Sequence, residues 1–446
     1  MKADFAKKAY NNLPERIKIL AGSIIRKKLI NNPEFIKQYN ELCAADSLAD
    51  ETLRARQFEL LKTTCIHAYE HTKFYKDVFD RVEFNPYEFS TFEEFSLKVP
   101  TISKNDVIAH FDELNSDDIA DHYPATTGGS SGTRLQVNNA WETFYKENAF
   151  IYHFMSRYGY DYKKHKVLLL AGEESEALCS SSPLYNMIRV SGRHLNQDNF
   201  PEALRFVNKF KPDYITALPS AAYQFCKYLK LSGLTLDSPI KYVFFRSENL
   251  NPKQRIFIEN VLGCGTAEYY GSTERIAMGE ELENKEGIPL YSFNPFYGYT
   301  EIDSEDGISL VGTGFINPKM PLIRYKTDDI LTKVSEFRYT VEGHRNAVLV
   351  GKNGESISPE FFCHLEDTFD KLEKYQLNQY EKGKAVANIV PRHELSKKEI
   401  AEIKGLFEKM AADRIEFEIK IVDHVELTPR GKFKLLFHHI VAEQTR

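Results

Sequence analysis

Between about residues 140 and 335, apolar runs of strand length alternate with amphipathic stretches of helical length. VLLLA (167–171), DYITAL (213–218) and KYVFF (241–245) are apolar on nearly every residue. A strand reads this way when both of its faces are covered, as in a parallel sheet between helices. The segments NFPEALRFVNKF and PSAAYQFCKYLKLSG repeat their apolar residues every three or four positions and supply the helices. The alternation predicts α/β architecture with largely parallel strands. Upstream, Phe58, Leu61, Cys65 and Ala68 predict one long helix over 53–80, ending near Phe74 and Tyr75. Ser103 predicts a cap for a helix starting near Lys104. Near residue 340 the texture changes, and a helix over 396–412 and a strand over 417–422 follow. A domain boundary is expected at 342–346. It divides a large domain (1–342, with residues 1–50 a basic helical extension) from a small α+β one (343–446). A chain of 446 residues suits two such cores.

With 58 Lys and Arg against 64 Asp and Glu, the net charge of −6 excludes a globally basic nucleic-acid binder. The six cysteines, Cys43, Cys65, Cys179, Cys226, Cys264 and Cys363, show no C-x-x-C spacing. They read as free buried thiols in a reducing compartment, and no Cys–His cluster reads as a zinc site. No apolar run reaches the length of a membrane helix, and MKADFAKKAY lacks an apolar signal core. The expected location is the cytoplasm. The first forty residues are locally basic, with Ile17, Leu20, Ile24 and Ile25 at helical spacing before Arg26-Lys27-Lys28. Such a helix either touches an anionic membrane surface peripherally or packs on its own domain with its charges in water.

Four segments carry chemistry. Thr127-Gly128-Gly129-Ser130-Ser131-Gly132-Thr133-Arg134 is a run of glycines and hydroxyls. Glycines let backbone N–H groups close around a phosphate, and hydroxyls add donors. The run is not a P-loop, because no Gly-Lys-[Ser/Thr] closes it. Glu268-Tyr269-Tyr270-Gly271-Ser272-Thr273-Glu274 offers a ring for a nucleobase at Tyr270, a phosphate donor at Thr273 and a magnesium ligand at Glu274. Arg324-Tyr325-Lys326-Thr327-Asp328-Asp329 offers a carboxylate for ribose hydroxyls at Asp329. Thr428-Pro429-Arg430-Gly431-Lys432 sets a lysine in a turn near the C-terminus. Taken singly, each is also readable as an ordinary loop or turn.

In this order, the four resemble the signature of the acyl-adenylate-forming superfamily, from about residue 50 to the C-terminus. Within it, the chain looks most like the phenylacetate–CoA ligase-like branch, particularly CapK-like proteins of capsule and polysaccharide clusters. Lys73-Phe74-Tyr75, Val99-Pro100-Thr101-Ile102-Ser103-Lys104, Lys211-Pro212-Asp213 and Leu218-Pro219-Ser220 carry that closer likeness. The resemblance implies a large multi-layer α/β domain hinged to a small mobile α+β domain. It implies ATP and Mg2+ as cofactors, a carboxylic-acid substrate, and a thiol (CoA) or amine acceptor. It assigns Lys432 and Thr273 to catalysis and Glu274 to the metal. To nucleotide binding it assigns residues 127–133, Ser247, Glu248, Asn249, Tyr269, Tyr270, Gly271, Ser272, Asp329 and Arg345.

This chain also departs from the pattern. Asp328 stands where the family usually has Gly, and Gly343-His344-Arg345-Asn346-Ala347 replaces Gly-Arg-x-Asp-Asp. The arginine becomes His344 with Arg345 beside it, and the hinge aspartate becomes Asn346. Substrate-lining residues are expected within 150–250, Tyr185, Arg189 and His194 among them. Two other classes remain open on sequence: a nucleotide-binding protein without turnover, and a membrane-peripheral scaffold anchored by the basic N-terminus.

Overall fold

The computed structural model describes residues 26–27, 30–127, 135–171, 177–248, 250, 252–285, 288–344, 349–357, 371–427, 433 and 435–440. The chain forms two compact units, Met1–Glu342 and Gly343–Arg446.

The first unit opens with helices Pro33–Ala45, Asp50–His71, Lys73–Arg81, Phe92–Lys98 and Lys104–Ala109. A hairpin of β1 (His122–Thr126) and β2 (Gln136–Ala140) comes next, in antiparallel register Thr126↔Gln136. The remaining strands of this unit join one twelve-stranded sheet. They are β3 (Val167–Ala171), β4 (Cys179–Ser182), β5 (Met187–Ser191), β6 (Tyr214–Ala217), β7 (Tyr242–Arg246), β8 (Gly265–Gly271), β9 (Met278–Lys285), β10 (Ile288–Phe293), β11 (Gly298–Ile302), β12 (Ser309–Gly314), β13 (Tyr325–Ser335) and β14 (Arg338–His344). Their spatial order is β11-β12-β13-β14-β10-β9-β8-β7-β6-β3-β5-β4.

The sheet has two characters. β5, β3, β6, β7 and β8 run parallel. From β8 onward the neighbours β9 and β10 are antiparallel. The parallel half is sandwiched. Helices Phe200–Phe210, Pro219–Ser232 and Pro252–Leu262 bury Leu204, Phe225 and Ile258 against Leu168, Ile215 and Val243 on one face. Helices Pro33–Ala45 and Trp141–Ser156 bury Phe35, Phe150 and Phe154 with Val167, Tyr214 and Phe244 on the other. This is why these strands read as unbroken apolar runs. The antiparallel half packs with Leu61, Cys65 and Ala68 of helix Asp50–His71.

The single helix expected over 53–80 is two helices. Thr72 between them is extended (φ −127°, ψ 134°), and its Oγ1 donates to the Ala68 carbonyl and accepts from the Tyr75 amide. A threonine side chain that bonds the backbone on both sides offers the chain a turn instead of another helical residue. Ser103 caps its helix as expected, reciprocally with Asp106. Cys43 corrects the reading of the thiols as buried: it is exposed, whereas Cys65 and Cys226 are buried.

The second unit is α+β. Its four-stranded sheet has the order β19-β18-β17-β20, with β17 (Leu372–Glu381), β18 (Lys384–Pro391), β19 (Glu416–Ile421) and β20 (Leu436–His438); β15 (Leu349–Val350) and β16 (Ser356–Ile357) form a separate pair. Helix Lys397–Met410, capped by Ser396 and Glu399, packs Ile403 and Phe407 into a core with Tyr375, Leu377 and Phe417.

Candidate active site

β8 is the last parallel strand, and β9 beside it runs the other way. Crevices beyond the carboxyl ends of parallel strands, where a sheet changes its pattern, are the usual ligand sites of α/β folds. The chain leaving β8 there is Ser272-Thr273-Glu274. Its course is fixed by Arg275 and Ile276. Arg275 sits in the left-handed region (φ 59°), and its Nη1 donates to Glu147 Oε1 at 2.6 Å. The backbone of Arg275 and Ile276 presses on two glycines of neighbouring strands. A Cβ on Gly314 would lie 2.1 Å from the Arg275 carbonyl oxygen, and one on Gly298 would lie 2.2 Å from that of Ile276. Any larger residue at either position would displace the turn that carries Glu274.

Two of the sequence motifs meet at this edge. The Tyr270 hydroxyl donates to Asp329 Oδ2 at 2.5 Å, joining β8 to β13. Asp329 is buried, and its amide donates to Thr327 Oγ1 at 3.1 Å. Burial, with the charges of Asp329 and then Glu274, pushes the Tyr270 phenol well above its ordinary value. Burial raises the Glu274 carboxyl; Ser272 eases the rise, Asp329 adds to it, and Lys104 is the weakest influence, pulling it down. Tyr325, the first residue of β13, hydrogen-bonds Glu274 and is itself held high, chiefly by burial. Neither Lys104 nor Tyr325 was among the expected site residues, because their approach to Glu274 depends on contacts distant in sequence.

Gly271 has an ordinary backbone and nothing within 4 Å of the place a Cβ would occupy. Packing among the described residues therefore does not require glycine there, whereas close approach of a ligand to the backbone would. The Glu274 carboxyl, raised by burial with the charge of Asp329 nearby, also suits a hard divalent cation. On both counts the residues present fit a nucleotide with its metal.

The other expected residues have settings of their own. Tyr269, on the opposite face of β8, packs edge-on against Phe154 at 5.7 Å, and burial raises its phenol. Thr273 is half-buried. Ser247, just beyond β7, takes a left-handed φ of 67°. Glu248 accepts the Ser220 amide at 3.1 Å, in the first turn of helix Pro219–Ser232, where a carboxylate complements the helix dipole. Thr127 pins the mouth of its loop twice: its amide donates to the Leu135 carbonyl at 2.8 Å, and its Oγ1 accepts the Leu135 amide at 3.0 Å. Gly128, Gly129, Ser130, Ser131, Gly132, Thr133, Asn249, Arg345 and Lys432 lie outside the described residues. The chain on either side of the Lys432 segment is well braced within the second unit. The Gln376 amide bonds both backbone groups of Glu426, at 2.7 and 3.1 Å, and Leu427 bridges to Phe433.

No protein-family model matches the chain. Among curated proteins it is 23% identical over 270 residues to protein CapK of Staphylococcus aureus, covering 58% of this chain and 59% of CapK. It is 24% identical over 324 residues to the phenylacetate-coenzyme A ligase of Aromatoleum evansii, covering 64% of this chain and 67% of that enzyme. The match therefore spans about three fifths of CapK. Among solved structures, 2-hydroxyisobutyryl-CoA ligase in its postadenylation state superposes with a TM-score of 0.64 at 14% identity, covering 86% of this chain and 89% of that one. The same ligase with 2-HIB-AMP and CoA, in its thioesterification state, gives 0.54 at 16% identity, covering 88% and 90%. The chain thus shares the fold of 2-hydroxyisobutyryl-CoA ligase, and its sequence is similar to CapK and the phenylacetate-coenzyme A ligases.

Proposed function

We propose that this protein is an ATP-dependent ligase that adenylates a carboxylic acid and passes the acyl group to an acceptor, CoA or an amine. The observation that carries the reading is the meeting of Tyr270, Asp329 and Glu274 where the parallel half of the sheet ends. In the first step a substrate carboxylate oxygen attacks the α-phosphorus of ATP. The bond to the bridging oxygen breaks, and pyrophosphate leaves. In the second step the acceptor's sulfur or nitrogen attacks the acyl carbon, and AMP leaves with the bonding pair.

The first step brings two anions together, so alignment and charge neutralisation govern its rate. Asp329 accepts from the ribose hydroxyls through its carboxylate, whose orientation Tyr270 holds. Gly271 lets the nucleotide lie against the backbone. Thr273 and the residues of the 127–133 loop donate to phosphate oxygens. Lys432 places a positive charge between the carboxylate and the α-phosphate. A magnesium ion held by Glu274 would supply charge neutralisation on the pyrophosphate side. A role in polysaccharide biosynthesis is part of the proposal and rests on the likeness to CapK. So is a cytoplasmic location; among the described residues no helix is long and apolar enough to cross a membrane.

The test is to incubate the purified chain with ATP, magnesium and a panel of aliphatic, aromatic, amino and sugar acids, with hydroxylamine present. One acid class should yield AMP, pyrophosphate and a hydroxamate. Lys432→Ala should lower that rate by about 10²–10³, the loss typical of one preorganised donor, with an unchanged melt. A chain that binds ATP but releases no AMP with any acid would reduce the proposal to nucleotide binding.

A further inference from the structure

Away from the nucleotide edge, the last turns of helix Asp50–His71 bring His67 and His71 together one turn apart, with ring centroids 5.0 Å from each other. Asp118, on the segment leading to β1, closes the group. One ring nitrogen from each histidine and one oxygen of Asp118 all lie within 4.8 Å of one another. Nothing in the ligase reading uses these residues.

The hydrogen bonds around the group decide what it can do. His67 Nε2 lies 3.0 Å from the Pro318 carbonyl oxygen. A carbonyl only accepts, so Nε2 carries the proton and Nδ1 keeps a lone pair. His71 Nδ1 lies 3.1 Å from Asp117 Oδ1 and by the same argument donates there, leaving Nε2 to face Asp118. That nitrogen is 3.9 Å from Asp118 Oδ2, while the other oxygen of Asp118 accepts from the Ser116 hydroxyl. Glu70 Oε2, 4.0 Å from His71 Nε2, adds negative charge beside it. Each imidazole is thus held through one ring nitrogen, His67 by a backbone carbonyl and His71 by a carboxylate. These are the supports that orient metal-bound histidines.

We propose that His67, His71 and Asp118 form a binding site for a divalent transition-metal ion, with zinc the best match. Two imidazoles and a carboxylate are three ligands of a tetrahedral zinc site, whose donor atoms stand about 3.3 Å apart. Closing the present spacing takes only rotamer adjustment at a half-exposed surface. The ion fastens the end of helix Asp50–His71 to the 116–118 segment, which runs directly into the hairpin bearing the glycine and hydroxyl loop. It is a structural clip, separate from Glu274.

The full-length protein, stripped with EDTA and returned to chelator-free buffer, is titrated with Zn2+ in competition with a chromophoric chelator. One equivalent should bind, and saturation should raise the melting temperature by several degrees. His71→Ala should abolish this binding. Asp118→Asn, which keeps the shape of the side chain, should weaken it by about ten- to a hundredfold while melting like the parent in EDTA. Glu274→Gln should leave it unchanged. Co2+ in place of zinc should give visible absorption bands that His71→Ala lacks. Zinc binding absent at 100-fold molar excess, or equal in parent, His71→Ala and Asp118→Asn, overturns the proposal. So does an Asp118→Asn variant with full affinity.

Discussion

Glu268, inside β8, and Glu274, just past its end, are two buried or half-buried carboxylates on one stretch of chain, and their surroundings differ. Glu268 lies in a closed cluster. Tyr291 donates to its Oε1 at 2.6 Å, and Arg255 stands 4.0 Å away while pairing with Glu281 at 2.8 Å. Glu281 in turn accepts the Glu268 amide at 2.7 Å. Glu274 has instead a second carboxylate, Asp329, as neighbour, and its weakest influence, Lys104, is the cationic one. The inner cluster brings its own arginine. Among the described residues the outer pair has acids and aromatic hydroxyls around it with Lys104 as a cationic influence, and under the proposed function a bound metal would add positive charge there. A structural network and a binding site are thus distinguishable by where the compensating charge comes from.

The comparison breaks most visibly at Arg255. Arg255→Met leaves Glu268 and Glu281 buried without their guanidinium and should cost about 3–5 kcal/mol of stability in denaturant titrations. The folded fraction should still bind ATP as the parent does. A variant that keeps its stability but loses ATP would place the inner cluster in the binding site.

Next comes the pH response of Glu268. Burial raises its carboxyl from the ordinary value of 4.5 to about 7. The folded state therefore holds a proton that the unfolded state releases. The stability this contributes is complete below pH 4.5 and is lost as pH rises through about 7. Relative to Glu268→Gln, the parent should gain up to about 3 kcal/mol between pH 8 and 4.5. Parallel stability curves for the two proteins would show that Glu268 takes up no proton on folding.

At the outer pair the effects should fall on ligands. Asp329→Ala should weaken ATP binding by about 1.5–3 kcal/mol, and by less for a nucleotide lacking ribose hydroxyls. Glu274→Gln should instead raise the magnesium requirement. In the parent, magnesium affinity should fall as pH drops, because the raised Glu274 carboxyl takes up protons early. Equal shifts of the magnesium titration in both variants would show that the two acids share one role. Smallest is Tyr270→Phe, which removes the hydroxyl from Asp329 and should cost about 1 kcal/mol of ATP affinity by calorimetry.

Legibility in the sequence obeys the same division. β3, β6 and β7 are apolar at nearly every position because helices cover both their faces, so their local pattern carries the information. The antiparallel half hides it. β12, Ser-Leu-Val-Gly-Thr-Gly, is buried at every position yet contains two glycines, whose reason lies in the Arg275–Ile276 turn they touch. Thr72 reads as another helical residue until its two backbone bonds are seen. The motif residues of the outer site were visible as residue types. Their pairing was not, because the bond from Tyr270 to Asp329 spans 59 residues and obeys no local period. His67 and His71 show helical spacing in the sequence, but Asp118 and the Pro318 carbonyl beside them come from other segments.

The two glycines beneath Arg275 and Ile276 have a consequence for how this protein can change. They hold Glu274 in place through absent atoms, and the surfaces that meet there are main chain on both sides. The Arg275 side chain anchors the turn through Glu147 and Ile276 packs against Gly312, but the contact at 298 and 314 is main chain, and one added methyl at either would move the whole turn. A charged group is positioned here by a negative mould, and its tolerance to mutation should be read at residues with no chemistry of their own.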